Sequence, residues 1–381
     1  MYSMFFIRKG YLRVIKQKRI DGLVDELKKN NISAIFLGPS SDLEYVAELS
    51  LFADERTKGL MVTAEGKAFA LTPLLYREDM ARVLGEQMTY QVWEDHNGFT
   101  GAFRSGCETL QLAGKRIAIN DGVIAVDLLE MMKAVPAEYL NGGHLLDPVR
   151  RRKDQDELET MREASRIVDR VMERVSGALH VGMTEGDLLK QLPAFFESEG
   201  AEGMSFNPIV AAGANGSMPH YSGGSKVIEK GDFVVVDMGA RYKGYCSDTT
   251  RTFCMGAPSN EQCRIYNIVL EAQKAGEAAV KAGCTGQDVD RAARSVITSA
   301  GYGDFFLNRL GHGIGVAIHE APYIIEGNET PLEPGNVFSV EPGIYIPGKF
   351  GVRIENLVAV RSDGSGEPLN HYPREMIVIE A

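Results

Sequence analysis

Residues 1 to about 150 alternate between two hydrophobic periods. In "RIDGLVDELKKN", Ile20, Leu23, Val24 and Leu27 recur at three-and-four spacing, which predicts a helix with one apolar face. "ISAIFLGP" follows as a short apolar run stopped by Gly38 and Pro39, the pattern of a buried strand. "GLMVTAEGKAFALTP" reads as two strands joined by a turn at Glu65-Gly66. The alternation predicts an α/β unit.

From about residue 155 the order changes to a pair of helices followed by paired strands, and it occurs twice. Helices near 155 to 180 and 184 to 199 precede strand-like "FNPIVAAG", "DFVVVDMGA" and "GYCSDTTRTF". Helices near 260 to 282 and 286 to 300 precede "NVFSVEPGIYI" and "GVRIENLVAV". Order and length indicate a duplicated α+β unit, without a clear residue-level repeat. The boundary between the halves is expected near "DPVRRRKDQDE", where Pro148 and a charged run lead into the amphipathic helix "ELETMREASRIVDRVMERV".

Composition narrows the classes. With 381 residues, 44% hydrophobic and 24% charged, the chain is of ordinary globular make-up and long enough for two cores. A formal net charge of −11 argues against nucleic acid or an anionic membrane as partner, since phosphate contacts need clustered Lys and Arg. The basic run "VRRRK" at 149 to 153 is short, is followed by acids, and is expected to be a solvated linker or helix start. No stretch approaches the roughly 18 to 20 apolar residues of a membrane span, and "MFFI" near the start is too short for a signal-peptide core. Five cysteines without a C-x-x-C pair suit a reducing compartment, so a cytoplasmic location is expected.

The first half holds no phosphate loop or ligand cluster, and its histidines, His96 and His144, stand alone. It reads as scaffold, substrate cover or oligomer surface. The second half is different. Asp237 ends an apolar strand and Asp248 lies on the next, so the Gly239 to Gly244 turn would bring both carboxylates to one side of a hairpin. Glu341 and Glu355 each fall within an apolar strand pattern, where an unpaired carboxylate costs several kcal/mol. Arg353 could neutralise one of these four acids, and divalent cations could neutralise the rest. With His312 of "GHGIGVAIHE" they form an oxygen-rich five-ligand set, sufficient for two ions if carboxylates bridge. Such a set favours Mn²⁺, Co²⁺ or Fe²⁺ over a structural zinc site. Two-metal sites serve hydrolysis.

The series Asp237, Asp248, His312, Glu341, Glu355, in "DMGARYKGYCSDTTRTF", "GHGIGVAIHE", "VEPGIYI" and "VRIEN", resembles the pita-bread metallopeptidases, specifically the proline-cleaving Xaa-Pro dipeptidases and Xaa-Pro aminopeptidases. The resemblance covers nearly the whole chain. It implies an α/β creatinase-type N-terminal domain at 1 to 150 and an α+β pita-bread catalytic domain at 151 to 381 with internal pseudo-twofold duplication. It implies that Asp237 chelates one metal, that Asp248 and Glu355 bridge both, and that His312 and Glu341 hold the other. Glu341 would also be the general base for the attacking water. His220, in "NGSMPHY", would contact substrate at the scissile bond, His319 would stabilise the tetrahedral intermediate, and Arg353 would orient substrate and a metal-bound carboxylate.

The implied activity is hydrolysis of the bond between an N-terminal residue and proline by a homodimer carrying two divalent ions per subunit, Mn²⁺ first and Co²⁺, Fe²⁺ or Zn²⁺ as alternatives. The substrates would be small peptides with proline second, with the dipeptidase reading ahead of an Xaa-Pro aminopeptidase acting on longer peptides. Creatinase-like C–N hydrolases on this fold have lost the metal ligands, and a non-catalytic pita-bread binding protein would lack ligands or show a basic face. Three positions depart from the family pattern: Asn308, Ala317 for the glutamate of "GLEVHE", and Tyr323 where some dipeptidases carry an arginine that clamps a substrate carboxylate.

Overall fold

The computed structural model describes the backbone of residues 11–380 and side chains from residue 17 onward, so "MFFI" lies outside the described residues. The described chain separates into two units, one ending at Arg150 and the other beginning at Arg151.

In the first unit, α1 (Tyr11–Lys29), β1 (Ala34–Leu37), α2 (Ser41–Ala47), β2 (Gly59–Thr63), β3 (Ala68–Pro73), α3 (Arg77–Leu84), β4 (Tyr90–Trp93), α4 (Thr100–Thr109), β5 (Arg116–Ile119), α5 (Ala125–Ala134), β6 (Glu138–Asn141) and α6 (Asp147–Arg150) build an α/β layer. The strands form one mixed sheet in the order β4-β3-β2-β1-β5-β6. The turn expected at Glu65-Gly66 joins β2 to β3, with Gly66 at φ 75°, a conformation open to glycine. Phe36, Phe69, Phe103, Ile117 and Met131 fill the core.

The second unit opens with α7 (Gln155–Ala178) and α8 (Glu185–Ser198). These lead to β7 (Gly203–Met204), β8 (Ile209–Ala212), β9 (Phe233–Met238), β10 (Ala240–Tyr242), β11 (Tyr245–Cys246) and β12 (Thr249–Met255). Then α9 (Asn260–Ala279) and α10 (Gly286–Ser299) precede β13 (Gly311–Gly313), β14 (Glu320–Ile324), β15 (Val337–Val340), β16 (Gly343–Ile346), β17 (Phe350–Arg353), β18 (Asn356–Val360), β19 (Gly366–Pro368) and β20 (Ile377–Ile379). One helix pair covers the sheet β20-β12-β9-β8, burying Val168, Val171, Leu188 and Leu192 against Val234 and Val236. The other covers β14-β13-β15-β18-β19, burying Ile265, Val269, Val289 and Ala293 with Phe338 and Val358.

The two halves do carry a residue-level repeat, which the sequence reading missed. Thr184 and Asp187 form a capping box at the start of α8, and Thr285 and Asp288 form the same box at the start of α10, each pair 101 residues apart. Gly200 and Gly301, again 101 apart, follow these helices at φ 87° and 85°. Beyond caps and glycines identity is sparse, as at Ile167 and Ile268 or Val168 and Val269, and elsewhere apolar character is shared, as at Leu188 and Val289 or Phe196 and Ile297.

The run at 149–153 is not a solvated linker. Within the first unit Arg150 pairs with Asp42 at 2.6 Å. Within the second, Arg151 pairs with Glu333 at 2.9 Å, and Lys153 reaches Glu320 at 2.5 Å with both side chains almost wholly buried. A lysine taken out of water needs such a carboxylate. All five cysteines are free, four of them buried. No helix among the described residues is long and apolar enough to cross a membrane.

Candidate metal centre

Asp237 lies in fully buried β9, directly opposite Thr250 of β12. Asp248 stands just ahead of β12, two residues before Thr250, so the pleat turns Asp237, Asp248 and Thr250 to one face. The segment between the strands forms β10 and β11, a small hairpin in a separate sheet that turns at Lys243 and Gly244.

Glu341 and Glu355 were expected inside strands and are not. Glu341 sits in the break between β15 and β16, where Pro342 offers no N–H to continue the ladder. Glu355 sits in the break between β17 and β18, held by its N–H to the Thr250 carbonyl at 3.1 Å. Both carboxylates are thereby freed from strand alternation and turned toward the aspartates.

His312 occupies β13 between two glycines. A Cβ at Gly311 would meet the Ser339 carbonyl at 1.9 Å, and one at Gly313 the Ala321 carbonyl at 2.4 Å. Only glycine allows β13 to lie this close to β15 and β14. His312 Nδ1 is 3.1 Å from the Gly313 carbonyl. A carbonyl only accepts, so Nδ1 carries the proton and Nε2 presents its lone pair. That lone pair faces Glu341 Oε1 at 3.3 Å and Asp248 Oδ2 at 3.6 Å. Lone pair against carboxylate is unfavourable unless a cation lies among them.

The carboxylates point the same way. Asp237 Oδ1, Asp248 Oδ1 and Glu355 Oε1 are buried without a hydrogen-bond partner. Their second oxygens are differently employed: Asp237 Oδ2 accepts from Arg353 Nη2 at 2.6 Å, and Glu355 Oε2 from the Thr250 hydroxyl at 2.6 Å. Glu341 Oε1 accepts from the Ser339 hydroxyl at 2.9 Å. Ligand atoms of Asp248, His312 and Glu355 all lie within 4.8 Å of one another. Burial, then repulsion from neighbouring carboxylates, drives the Asp248 and Glu355 carboxyls well above their usual range. Burial pushes Glu341 up to about 7 and His312 down to about 3. Anionic oxygens crowded out of water, three of them orphaned and two others facing an imidazole lone pair, fit divalent cations.

The other singled-out residues surround this cluster. The His319 ring meets the His312 ring edge-on at 4.2 Å between centroids, and its pKa is lowered by burial, then by Arg309 and His220. His220 is exposed and follows a single-turn helix at Gly213–Ser217. Besides Asp237, Arg353 donates to the Tyr345 hydroxyl at 2.8 Å and to the Pro219 carbonyl at 3.3 Å.

Sequence reasoning passed over Thr250, Ser339, Tyr345 and Arg309, whose guanidinium lies 4.7 Å over the Tyr323 ring. Thr250 and Ser339 each stand two residues from a predicted ligand, a spacing that marks one strand face. Nothing local marks Arg309.

Residues 159–362 match the model of metallopeptidase family M24, and residues 19–151 match the creatinase/prolidase N-terminal domain. An Xaa-Pro dipeptidase of Pyrococcus horikoshii is 31% identical over 363 residues, 95% of this chain and 99% of that protein. The crystal structure of a prolidase from Thermococcus sibiricus superposes with a TM-score of 0.89 at 34% identity, covering 98% of this chain and 100% of that one. That of an X-Pro aminopeptidase from Thermotoga maritima gives 0.81 at 31% identity, covering 94% and 99%. The chain belongs to metallopeptidase family M24, with a creatinase/prolidase N-terminal domain ahead of the peptidase domain. It is a metallopeptidase with the pita-bread catalytic fold.

Proposed function

We propose that this metallopeptidase is an Xaa-Pro dipeptidase that uses two divalent ions held by Asp237, Asp248, His312, Glu341 and Glu355. The observation that carries the ligand assignment is the set of orphaned buried oxygens on Asp237, Asp248 and Glu355, gathered beside a His312 lone pair that itself faces the Asp248 and Glu341 carboxylates. Asp248 and Glu355 would help to hold both ions, Asp237 one of them, and His312 with Glu341 the other. When bound, the ions polarise the scissile carbonyl and make water a nucleophile at neutral pH. Mn²⁺ is the favoured metal, given the carboxylate-rich donors.

Each remaining residue has a task set by its place. Glu341, kept in orientation by Ser339, takes the proton of the attacking water. His319 donates to the oxygen that gains charge in the tetrahedral intermediate. His220 contacts substrate at the scissile bond. Arg353 fixes the Asp237 carboxylate by one nitrogen and the His220 loop, through Pro219, by another. Residues 1–150 serve as scaffold, substrate cover and dimer surface in a cytoplasmic homodimer.

An Xaa-Pro aminopeptidase is the second reading, favoured by Tyr323 in place of a carboxylate-clamping arginine. Metal-loaded protein assayed on Ala-Pro and Ala-Pro-Ala decides between them. Preference for Ala-Pro is expected, preference for the tripeptide makes this an aminopeptidase, and no hydrolysis of either removes both.

A further inference from the structure

His220 is exposed on a loop, yet a residue that contacts a scissile bond has to be held in place. Its chain neighbours are tied down. On one side the Pro219 carbonyl accepts from Arg353. On the other, the Tyr221 hydroxyl donates to Glu185 Oε2 at 2.9 Å and accepts from Asn215 Nδ2 at 2.9 Å. Glu185 lies in the first turn of α8 and is completely buried. Its other oxygen accepts from the Ala212 N–H at 2.8 Å and from Asn215 Nδ2 at 3.0 Å. One buried carboxylate thus grips the loop where it leaves β8, at its middle and immediately after His220. The grip belongs to this half alone: the residue 101 positions on, also first in its helix, is Gly286, where a Cβ would meet the Tyr323 carbonyl at 2.5 Å.

We propose that Glu185, acting through Tyr221 and Asn215, is a positioning residue that holds His220 toward the substrate; this rests on the reading of His220 as a substrate contact. The Glu185 carboxylate is bonded to Ala212, Asn215 and Tyr221, none of them a proposed metal ligand, so its influence should run through His220 and leave metal binding alone.

The test is a double-mutant cycle on metal-saturated enzyme with Ala-Pro, reading kcat, KM, bound metal and melting temperature. Loss of one hydrogen bond to a charged acceptor in Tyr221→Phe should lower kcat by about 3- to 30-fold, with metal content unchanged and the melting temperature lowered by no more than a few degrees. In a His220→Ala background the same change should alter kcat by less than about 2-fold, because the residue being positioned is gone. Glu185→Gln should follow the same pattern, milder than Glu185→Ala. Losses that multiply in the double variant, loss of metal, or wild-type rates in both Tyr221→Phe and Glu185→Gln overturn the proposal. An active wild type with an unimpaired His220→Ala removes the histidine's role and this inference with it, whereas a wild type inactive on Ala-Pro removes the functional reading on which both stand.

Discussion

The two halves of the catalytic unit share a scaffold and divide the chemistry unequally. Each has a helix pair, a Thr-Asp capping box on its second helix and a left-handed glycine after it, and each lays that pair on a sheet whose strands are antiparallel except for β20 beside β12. The first half gives two aspartates, Asp237 from within β9 and Asp248 from just ahead of the neighbouring strand β12. The second gives two glutamates, and only by interrupting its strands, at Glu341-Pro342 and at Ile354-Glu355. Asp237 reaches the centre from within an unbroken ladder, while Asp248 and both glutamates do so where a strand begins or stops. Symmetry supplies the positions, and local departures from it supply the site.

Removing the Asp248 charge from the proposed metal centre should have the largest effect. Asp248→Asn is expected to abolish turnover, by roughly 10³-fold or more, because metal assistance is worth several kcal/mol and an amide supplies no charge to either ion. In chelator the same variant should melt at or above the wild type, since Asp248 is destabilised by burial and by Glu355, Asp237 and Glu341. Calorimetry of the chelated proteins and metal analysis of the loaded ones measure the two halves of this expectation. Full activity after exhaustive chelation would sink the metal-centre reading.

Next come two residues of the second half. Glu341→Gln should reduce kcat by about 10² or more through loss of general-base assistance. His319→Ala should reduce kcat by roughly 10², and KM far less, by loss of an oxyanion donor. Wild-type kcat in both variants with metal bound would show that these roles lie elsewhere.

A structural change tests the symmetry itself. Gly286→Ala puts a methyl 2.5 Å from the Tyr323 carbonyl, backbone that cannot swing aside, and should cost about 1 to 3 kcal/mol. For a unit of this size that is a fall of a few degrees in melting temperature, readable by thermal denaturation. Gly177→Ala, on a helix where an added Cβ meets nothing within 4 Å, is the control and should not destabilise.

Sequence pattern reached the elements well because helix and strand periods are local. The helices at 155 to 180 and 286 to 300 end within two residues of the observed α7 and α10. It placed Glu341 and Glu355 inside strands because apolar flanks read as continuous, whereas Pro342 and the grip of Thr250 on Glu355 stop the ladders. It took 149–153 for solvated chain because each partner, Asp42, Glu333 or Glu320, is more than one hundred residues away. The carboxylates were legible as a set since apolar neighbours make a buried acid conspicuous. Arg309 was not, because the residue it stacks on, Tyr323, lies fourteen positions further along the chain in β14.

The smallest expected effect concerns the end of the substrate beyond proline. Tyr323 gives a hydroxyl where an arginine would pair the proline carboxylate, so selection for dipeptides should be modest. The kcat/KM ratio of Ala-Pro to Ala-Pro-Ala is therefore expected above one and below about 10³, since an unpaired buried charge on the wrong substrate would cost several kcal/mol only if the charge were closely held. Arg309 changes the picture by degree. Its guanidinium rests on the Tyr323 ring at 4.7 Å, and its field already lowers the pKa of His319 beside the metal ligands. A half-exposed cation stacked on an aromatic ring gives a weaker, looser attraction than a bidentate pair. Arg309→Met should then lower the ratio by about 10-fold or less while leaving Ala-Pro-Ala hydrolysis nearly unchanged. An unaltered ratio would mean that the carboxylate is read elsewhere, and a wild-type ratio far above 10³ would mean that a tight clamp exists which neither Tyr323 nor Arg309 supplies.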